Sequence, residues 1–318
     1  MKVLITGCAG FIGFSLARYL LEKNIKITGI DNFDKYYSVK LKKKRISILN
    51  QNKLFSFKKI NLTNRNSLKK FFKKKNFDYV FHFAAQAGVR FSIIAPEKYI
   101  DSNVVGFFNL LNFLKRYKKA KIFYSSSSSV YGDSKSYPVS ESSKLEPKNF
   151  YGLSKMINEE IASMFFYNFK MKLVGLRFFT VFGEWGRPDM LLIKFFSYAS
   201  KKKTFLINNS GNHYRDFTYI KDVNKILYKL LKKYSFKKHE VLNICSSKPY
   251  KLNFIIKILS KICKYSKFTN IPLQKVEVLK TFGDNKKIKK IVGKIKFTNI
   301  KIAINNTYAW FSKYKKLI

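Results

Sequence analysis

Tyr151-Gly152-Leu153-Ser154-Lys155 puts a phenol and an ammonium four residues apart at the head of an apolar, helix-periodic stretch, so both lie on one helical face, one turn apart. A phenol titrates near ~10 and is a poor base at neutral pH. A neighbouring ammonium and a cationic nicotinamide ring would favour the phenolate and lower that value. Upstream runs an unbroken stretch of serines, 125–129. From it Ser127 can hydrogen-bond the same substrate oxygen and hand over a proton. A base, a cation and a hydroxyl so arranged suit hydride transfer from a carbinol carbon to a nicotinamide dinucleotide. The N-terminus has a place for one. Val3-Leu4-Ile5 enters a turn holding Gly7, Gly10 and Gly13, and a helical pattern that includes Phe11 and Ile12 leaves it. Such glycines allow the tight turn, the close approach of a pyrophosphate to bare backbone N–H groups, and close helix-on-strand packing. The next apolar run ends at Asp31-Asn32, 18 residues after Gly13. An acid there accepts from ribose hydroxyls and selects NAD over NADP.

The elements that must position these groups alternate. Strands are expected at 2–6, 25–30, 54–60, 77–83, 121–124 and 172–178, and helices at 11–23, 41–51, 65–75, 104–117 and 151–169. This alternation predicts an α/β fold, a Rossmann-type doubly wound parallel sheet whose ligands sit at the carboxyl ends of the strands. The conspicuous polar clusters fall at those ends. Beyond residue 178 the pattern loosens into helices at 191–199, 221–232, 252–262 and 305–314 and strands at 204–207 and 215–220. The expected division is a dinucleotide-binding domain, 1–182, and a smaller C-terminal α/β substrate domain, 183–318, whose middle could return to the main sheet. Helices 104–117 and 156–169 are apolar on more than one face. That suits burial under a domain, or a homodimer through a four-helix bundle.

The 318 residues carry 64 Lys+Arg against 18 Asp+Glu, a formal charge of +46. Only 8 of the basic residues are Arg, and the lysines are scattered in short runs without an aromatic reading motif, so no specific nucleic-acid partner is expected. The joint enrichment of Lys, Asn, Ile and Phe fits a coding bias. Cys8, Cys245 and Cys263 are too few and too far apart for a disulfide framework, which suits a reducing, cytoplasmic setting. No stretch approaches the ~20 apolar residues of a membrane span. Of the three histidines, His82 reads as a hydrogen-bonded core residue, His213 as a neighbour of Arg215 able to touch substrate, and His239 as surface; they form no metal constellation. Arg90, after the Gly88 turn, reads two ways: support for a substrate carboxylate, or a cofactor-phosphate contact.

Taken together, Thr6–Gly13, His82-Phe83-Ala84-Ala85, the run from Ser125 to Gly132 and Tyr151-x-x-x-Lys155 resemble the extended short-chain dehydrogenase/reductases, and within them the nucleotide-sugar 4-epimerases. Narrower segments are similar to UDP-glucuronate 4-epimerases: Asp31-Asn32-Phe33-Asp34-Lys35-Tyr36-Tyr37, Ala84 through Arg90, Arg177 through Gly183, Trp185 through Met190, and Arg215 through Ile220. The resemblance spans essentially the whole chain. It implies NAD as cofactor, with the pyrophosphate at Gly7, Gly10, Phe11, Ile12 and Gly13, the ribose at Asp31 and Asn32, and Phe83, Ala84 and Ala85 alongside. Asn61, next to Leu62, stands where the family carries an Asp beside adenine; its amide oxygen can still accept. Asn103 is implied as a structural or cofactor contact. Ser127, Tyr151 and Lys155 become the catalytic trio; Ser127 is chosen because it lies four before Tyr131, with Ser126 and Ser128 as the other registers and Ser128 as a further substrate contact. Thr180 and Arg187 fall where a sugar carboxylate would lie, and Arg215 where a UDP phosphate would. Val276-Glu277-Val278 departs from the family's Gly-Asp-Val.

The implied reaction is a redox 4-epimerisation of UDP-glucuronate to UDP-galacturonate through a 4-keto sugar. The alternatives within the fold are a 4-epimerase of neutral UDP-glucose or UDP-N-acetylglucosamine, a dehydratase or a decarboxylase. A dehydratase calls for Asp-Glu directly after the catalytic hydroxyl, and Ser128-Ser129 stands there. A non-enzymatic NAD- or RNA-binding protein is the reading from another class, and the intact trio speaks against it.

Overall fold

The computed structural model describes residues 1–73, 75–263, 267–272 and 276–318. Its first half alternates β1 (Lys2–Thr6), α1 (Phe11–Leu21), β2 (Lys26–Asp31), α2 (Val39–Leu49), β3 (Phe55–Lys59), α3 (Arg65–Phe72) and β4 (Tyr79–His82). Two short helices follow, α4 (Phe91–Ile94) and α5 (Glu97–Tyr99), then a π-helical stretch (Ile100–Val105) that runs into α6 (Gly106–Leu114). Next come β5 (Lys121–Ser127), α7 (Phe150–Phe169), β6 (Lys172–Phe178), β7 (Thr180–Phe182), α8 (Leu191–Ser200), β8 (Phe205–Asn208), β9 (Tyr214–Tyr219) and α9 (Ile220–Lys233). The chain ends with β10 (Glu240–Ile244), β11 (Pro249–Lys251), α10 (Leu252–Cys263), β12 (Phe268–Ile271), α11 (Lys286–Val292) and α12 (Ile300–Tyr314).

Seven strands form one parallel sheet in the order β10-β6-β5-β4-β1-β2-β3. The order reverses between β1 and β4, and the crevice outside their carboxyl ends is where a doubly wound sheet binds ligand. Both faces of the sheet are covered. Val3, Ile5, Phe81, Phe123, Val174 and Leu176 belong to one core cluster, and Leu4, Val80, Ile122, Tyr124 and Leu173 to the other. The period of two along each strand therefore feeds two cores. Each large apolar side chain withdrawn this way contributes about 1.5–3 kcal/mol.

Smaller sheets carry the remainder: β11-β9-β7, and β12 with β8. β10 crosses back to the main sheet, with Glu240 opposite Val174 and Ile244 opposite Phe178. Three further details differ from the sequence reading. The serine run is extended strand through Ser127, because β5 pairs with β6 as far as Ser127 opposite Phe178. α12 starts at Ile300 rather than at 305, since the Asn299 side chain caps it by accepting from Lys301 N at 2.9 Å. His239 is not free surface: it is half-buried, its Nε2 lies 2.8 Å from Tyr124 Oη, and its ring stacks on that phenol.

Candidate active site

The glycine turn is closed by Gly7 at φ +71°, and Gly10 N donates to Gly7 O at 2.9 Å. A Cβ on Gly13 would overlap the Gly7 carbonyl oxygen, and one on Gly7 would overlap the backbone at Phe83 and Ala84. The turn thus packs α1 against the ends of β1 and β4 at a spacing only glycine permits. Gly10 caps α1 without a side-chain hydrogen bond, so the helix presents its first amides unblocked. Behind them Phe11 and Gly13 are buried and Ile12 is half-buried.

The crevice beside the turn is lined by Gly7, Gly10, Asp31, Asn32, Asn61, Leu62, Phe83, Ala84 and Ala85, together with Gln86 and Ser102. Asp31 Oδ1 accepts from Phe33 N at 2.8 Å and Oδ2 from Ala9 N at 3.1 Å, so the carboxylate braces the turn from the end of β2. Burial raises its pKa, while those N–H donors and the cations of Lys42 and Arg45 oppose the rise. The uncapped helix, the cradle that a Cβ would fill and the carboxylate at the end of β2 fit a dinucleotide. Asn103 is buried; it accepts from Gln86 N at 2.7 Å and donates to Gln86 O and Ser154 Oγ at 3.1 and 2.9 Å. Its amide thereby ties the crevice wall to α7.

Across the crevice, α7 is capped by Asn149, whose side chain accepts from Gly152 N at 2.9 Å. This sets Tyr151 and Lys155 against the end of β5. Lys155 is 1% exposed and donates to Ser125 O at 2.9 Å and Ser125 Oγ at 3.2 Å; burial pulls its pKa down to about 7. Burial raises the Tyr151 phenol, and the Ser127 hydroxyl and the Arg187 guanidinium pull it back. The serines have different partners. Ser126 Oγ donates to Glu159 Oε1 at 2.5 Å, and the Ser127 hydroxyl acts to lower the pKa of the Tyr151 phenol. Ser127 Oγ also accepts from Ser129 N at 3.1 Å, while Ser128 is half-buried at the start of the 3-10 turn.

Arg187 reaches this group from the loop after β7. Its Nε and Nη2 fork onto Asp189 at 3.0 and 2.6 Å, and Tyr36 Oη donates to the same carboxylate at 3.0 Å. Burial would raise Asp189, but Arg187 wins and holds the carboxyl below its usual range. Thr180 opens β7, half-buried, opposite Phe217 of β9. Arg90 is brought to Arg215: Arg90 Nε donates to Glu277 Oε1 at 2.7 Å, and Arg215 Nη2 lies 4.0 Å from Glu277 Oε2. Asn208 Nδ2 donates to that carboxylate too, at 3.1 and 3.3 Å. His213 is buried nearby, and burial together with Arg215 lowers its pKa to about 4, so it stays neutral. His82 is fully buried with Nδ1 at 2.8 Å from Thr6 Oγ1. Among the described residues no His, Cys, Asp and Glu group gathers as a metal site, and no helix is long and apolar enough to cross a membrane.

Sequence reasoning missed Asp189, Glu159 and Tyr99 as parts of the site. Glu159 had a signal, since it falls one turn beyond Lys155 on the same helix. Tyr99, whose ring lies 6.2 Å from that of Tyr151 and whose hydroxyl donates to Gly88 O at 2.5 Å, had none, because α5 is too short for periodicity.

The model of the NAD dependent epimerase/dehydratase family matches residues 3–245. A UDP-glucuronate 4-epimerase of Thermodesulfobacterium geofontis is 33% identical over 99% of this chain and 97% of its own. Among solved structures, the UDP-glucuronic acid 4-epimerase of Bacillus cereus in complex with UDP-glucuronic acid and NAD is 30% identical, with a TM-score of 0.92 over 98% of this chain and 99% of that one. The UDP-glucose 4-epimerase of Thermotoga maritima with UDP-glucose is 26% identical, with a TM-score of 0.89 over 98% and 99%.

Proposed function

This chain belongs to the NAD dependent epimerase/dehydratase family, and from that premise we propose that it epimerises UDP-glucuronate at C4 of the sugar, with Tyr151 as the proton-transferring base. The observation that carries this is the convergence of Ser127, Tyr151 and Lys155 at the end of β5. Bound NAD supplies the acceptor and donor of hydride at the sugar carbon. Gly7, Gly10, Phe11, Ile12 and Gly13 hold its pyrophosphate, Asp31 and Asn32 its ribose, Asn61 and Leu62 its adenine, and Phe83, Ala84 and Ala85 its length. Ser127 orients the 4-hydroxyl and Tyr151 takes its proton, then returns it on the other face of the turned-over 4-keto sugar. Lys155, held on Ser125 by its Nζ, fixes the head of α7 behind the pair. Residues 1–182 form the cofactor domain and 183–318 the sugar-nucleotide domain, with β10 lent back to the main sheet.

The uronate is favoured by Arg187. Asp189 takes its Nε–Nη2 edge, and the Nη1 end, free of that carboxylate, would take a second one. Ser128 and Thr180 would complete that subsite, and Arg90 and Arg215 would take the diphosphate when it displaces Glu277. The engaged edge of Arg187 is also what speaks for the second reading, a neutral UDP-sugar.

The test is NMR of anomeric signals with UDP-glucuronate and UDP-glucose in turn; conversion of the neutral sugar alone would exclude the uronate. Tyr151→Phe is expected to lower kcat by about 10²–10⁴-fold with NAD still bound, and retained turnover removes Tyr151 as the base. The apolar face of α6 and α7 supports a homodimer through a four-helix bundle. The unpaired thiols Cys8, Cys245 and Cys263 support work in a reducing cytoplasm, on a donor for polysaccharide assembly.

A further inference from the structure

Arg45 of α2 is fully buried, yet its hydrogen-bond partners are all neutral. Nη1 donates to Ala9 O and Tyr37 Oη, both at 2.8 Å, and Nη2 donates to Trp185 O at 2.5 Å and Gly186 O at 3.3 Å. Its Nε has no hydrogen-bond partner among the described residues. A buried ion costs several kcal/mol, and the carboxylate acting on it, Asp31, is engaged by Ala9 N and Phe33 N and does not hydrogen-bond it. Filling the volume does not require that cost, since an apolar side chain would do so without it. What the guanidinium alone does is span two carbonyl-lined segments at once. Ala9 lies in the glycine turn; Trp185 and Gly186 lead directly into Arg187.

The second segment is held so that this link matters. Trp185 sits at φ +61°, a region that is strained for a bulky residue. It is wedged by Phe14 at 5.2 Å, Trp310 at 5.3 Å and Tyr314 at 4.7 Å between ring centroids. After it, Arg187 forks onto Asp189, which Tyr36 also holds. Tyr36 and Tyr37 precede α2, so the contacts form a closed loop: α2 through Arg45 to the Arg187 loop, and back through Asp189 and Tyr36 to the approach of α2.

We propose that Arg45 is a positioning residue that ties the cofactor turn to the loop carrying Arg187, so that dinucleotide binding and sugar-nucleotide binding are set in register and energetically coupled. This rests on the functional reading above for the identity of the sugar. A shift of the 185–187 segment would move Arg187, the one guanidinium that serves the proposed sugar subsite and also acts on the Tyr151 phenol. Coupling of this kind is reciprocal, so a bound sugar nucleotide must tighten the binding of NAD, and slower release is the expected readout.

The experiment follows the release of NAD from the purified holoenzyme, with and without UDP-glucuronate, for the wild type, Arg45→Lys and Arg45→Met. Turnover of UDP-glucuronate and UDP-glucose is measured alongside. Arg45→Lys keeps the charge, but a single ammonium cannot bridge both segments. The expected result is a protection of NAD by UDP-glucuronate in the wild type that falls about tenfold in Arg45→Lys, with KM for the uronate raised more than kcat is lowered. Arg45→Met is expected to lose the protection as well where it folds; Arg45→Lys decides where it does not. Full protection and an unchanged uronate-to-neutral ratio in Arg45→Lys would overturn the proposal, as would a wild type whose NAD loss ignores the sugar nucleotide. If the wild type protects NAD but turns over no uronate, the coupling stands and the substrate assignment falls.

Discussion

Lys155 and Tyr151 are pushed by burial toward their neutral forms, the ammonium down to about 7 and the phenol above its usual value. The expected help from Lys155 to the phenolate is therefore not what the protein alone provides: Lys155 Nζ is spent on Ser125, and the groups that pull Tyr151 down are Ser127 and Arg187. The sign for stability follows. An unfolded lysine holds its proton up to ~10.4, whereas Lys155 in the fold releases it near 7, so between those values the unfolded chain binds more protons and stability rises with pH. Thermal melts of the wild type and Lys155→Met are expected to diverge from pH 7 to about 10, the wild type gaining on the variant; parallel curves would place Lys155 in contact with solvent. Tyr151 and Lys155 were legible because their helical spacing is a local property. That Arg187 acts on Tyr151 was not, since the two are 36 positions apart and only the turn of the chain after β7 joins them.

Among the elements, α7 carries the most consequence, and what seats it lies behind the site. Glu159 accepts from Arg177 Nε and Nη2 at 2.9 and 2.6 Å and from Ser126, so one carboxylate joins α7 to β6 and β5. Arg177 also donates to Tyr131 Oη at 2.8 Å and Glu141 O at 3.0 Å. The pair is 4% and 6% exposed, buried enough that removing one partner strands the other. Glu159→Ala is expected to cost about 3–5 kcal/mol, read as a lower urea midpoint with an unchanged slope, and to displace Ser127 from Tyr151. A shift below about 1 kcal/mol would mean that solvent reaches the pair. The strands and the longer helices of the first half were readable because apolar period and glycine punctuation agree there. β7, β11 and β12, of three or four residues each, were not, because so short a run carries no period and is strand only where a neighbour pairs with it.

For the whole molecule, α6 and α7 leave an apolar face outward, where Phe108 is 45% and Met164 53% exposed beside Met156, Ile157, Ile161 and Phe165. A patch of this kind on a chain so rich in lysine would suit the proposed homodimer contact. Met164→Glu is expected to convert a dimer to a monomer by sedimentation velocity at micromolar concentration, with the fold retained; an unchanged mass would place the subunit contact elsewhere, and a wild-type monomer would remove it. Sequence by itself determined the doubly wound sheet, the glycine turn with Asp31, and the Tyr151–Lys155 pair, because each depends on spacings within a turn, a helix or one βαβ unit. Tertiary structure alone decided the partners of the charged groups: Asp189 on Arg187, Glu277 between Arg90 and Arg215, Glu159 on Arg177, and Arg45 across two loops. Those pairings join residues brought together by chain crossings and loop turns, and a charge has no periodicity to announce which distant neighbour will satisfy it.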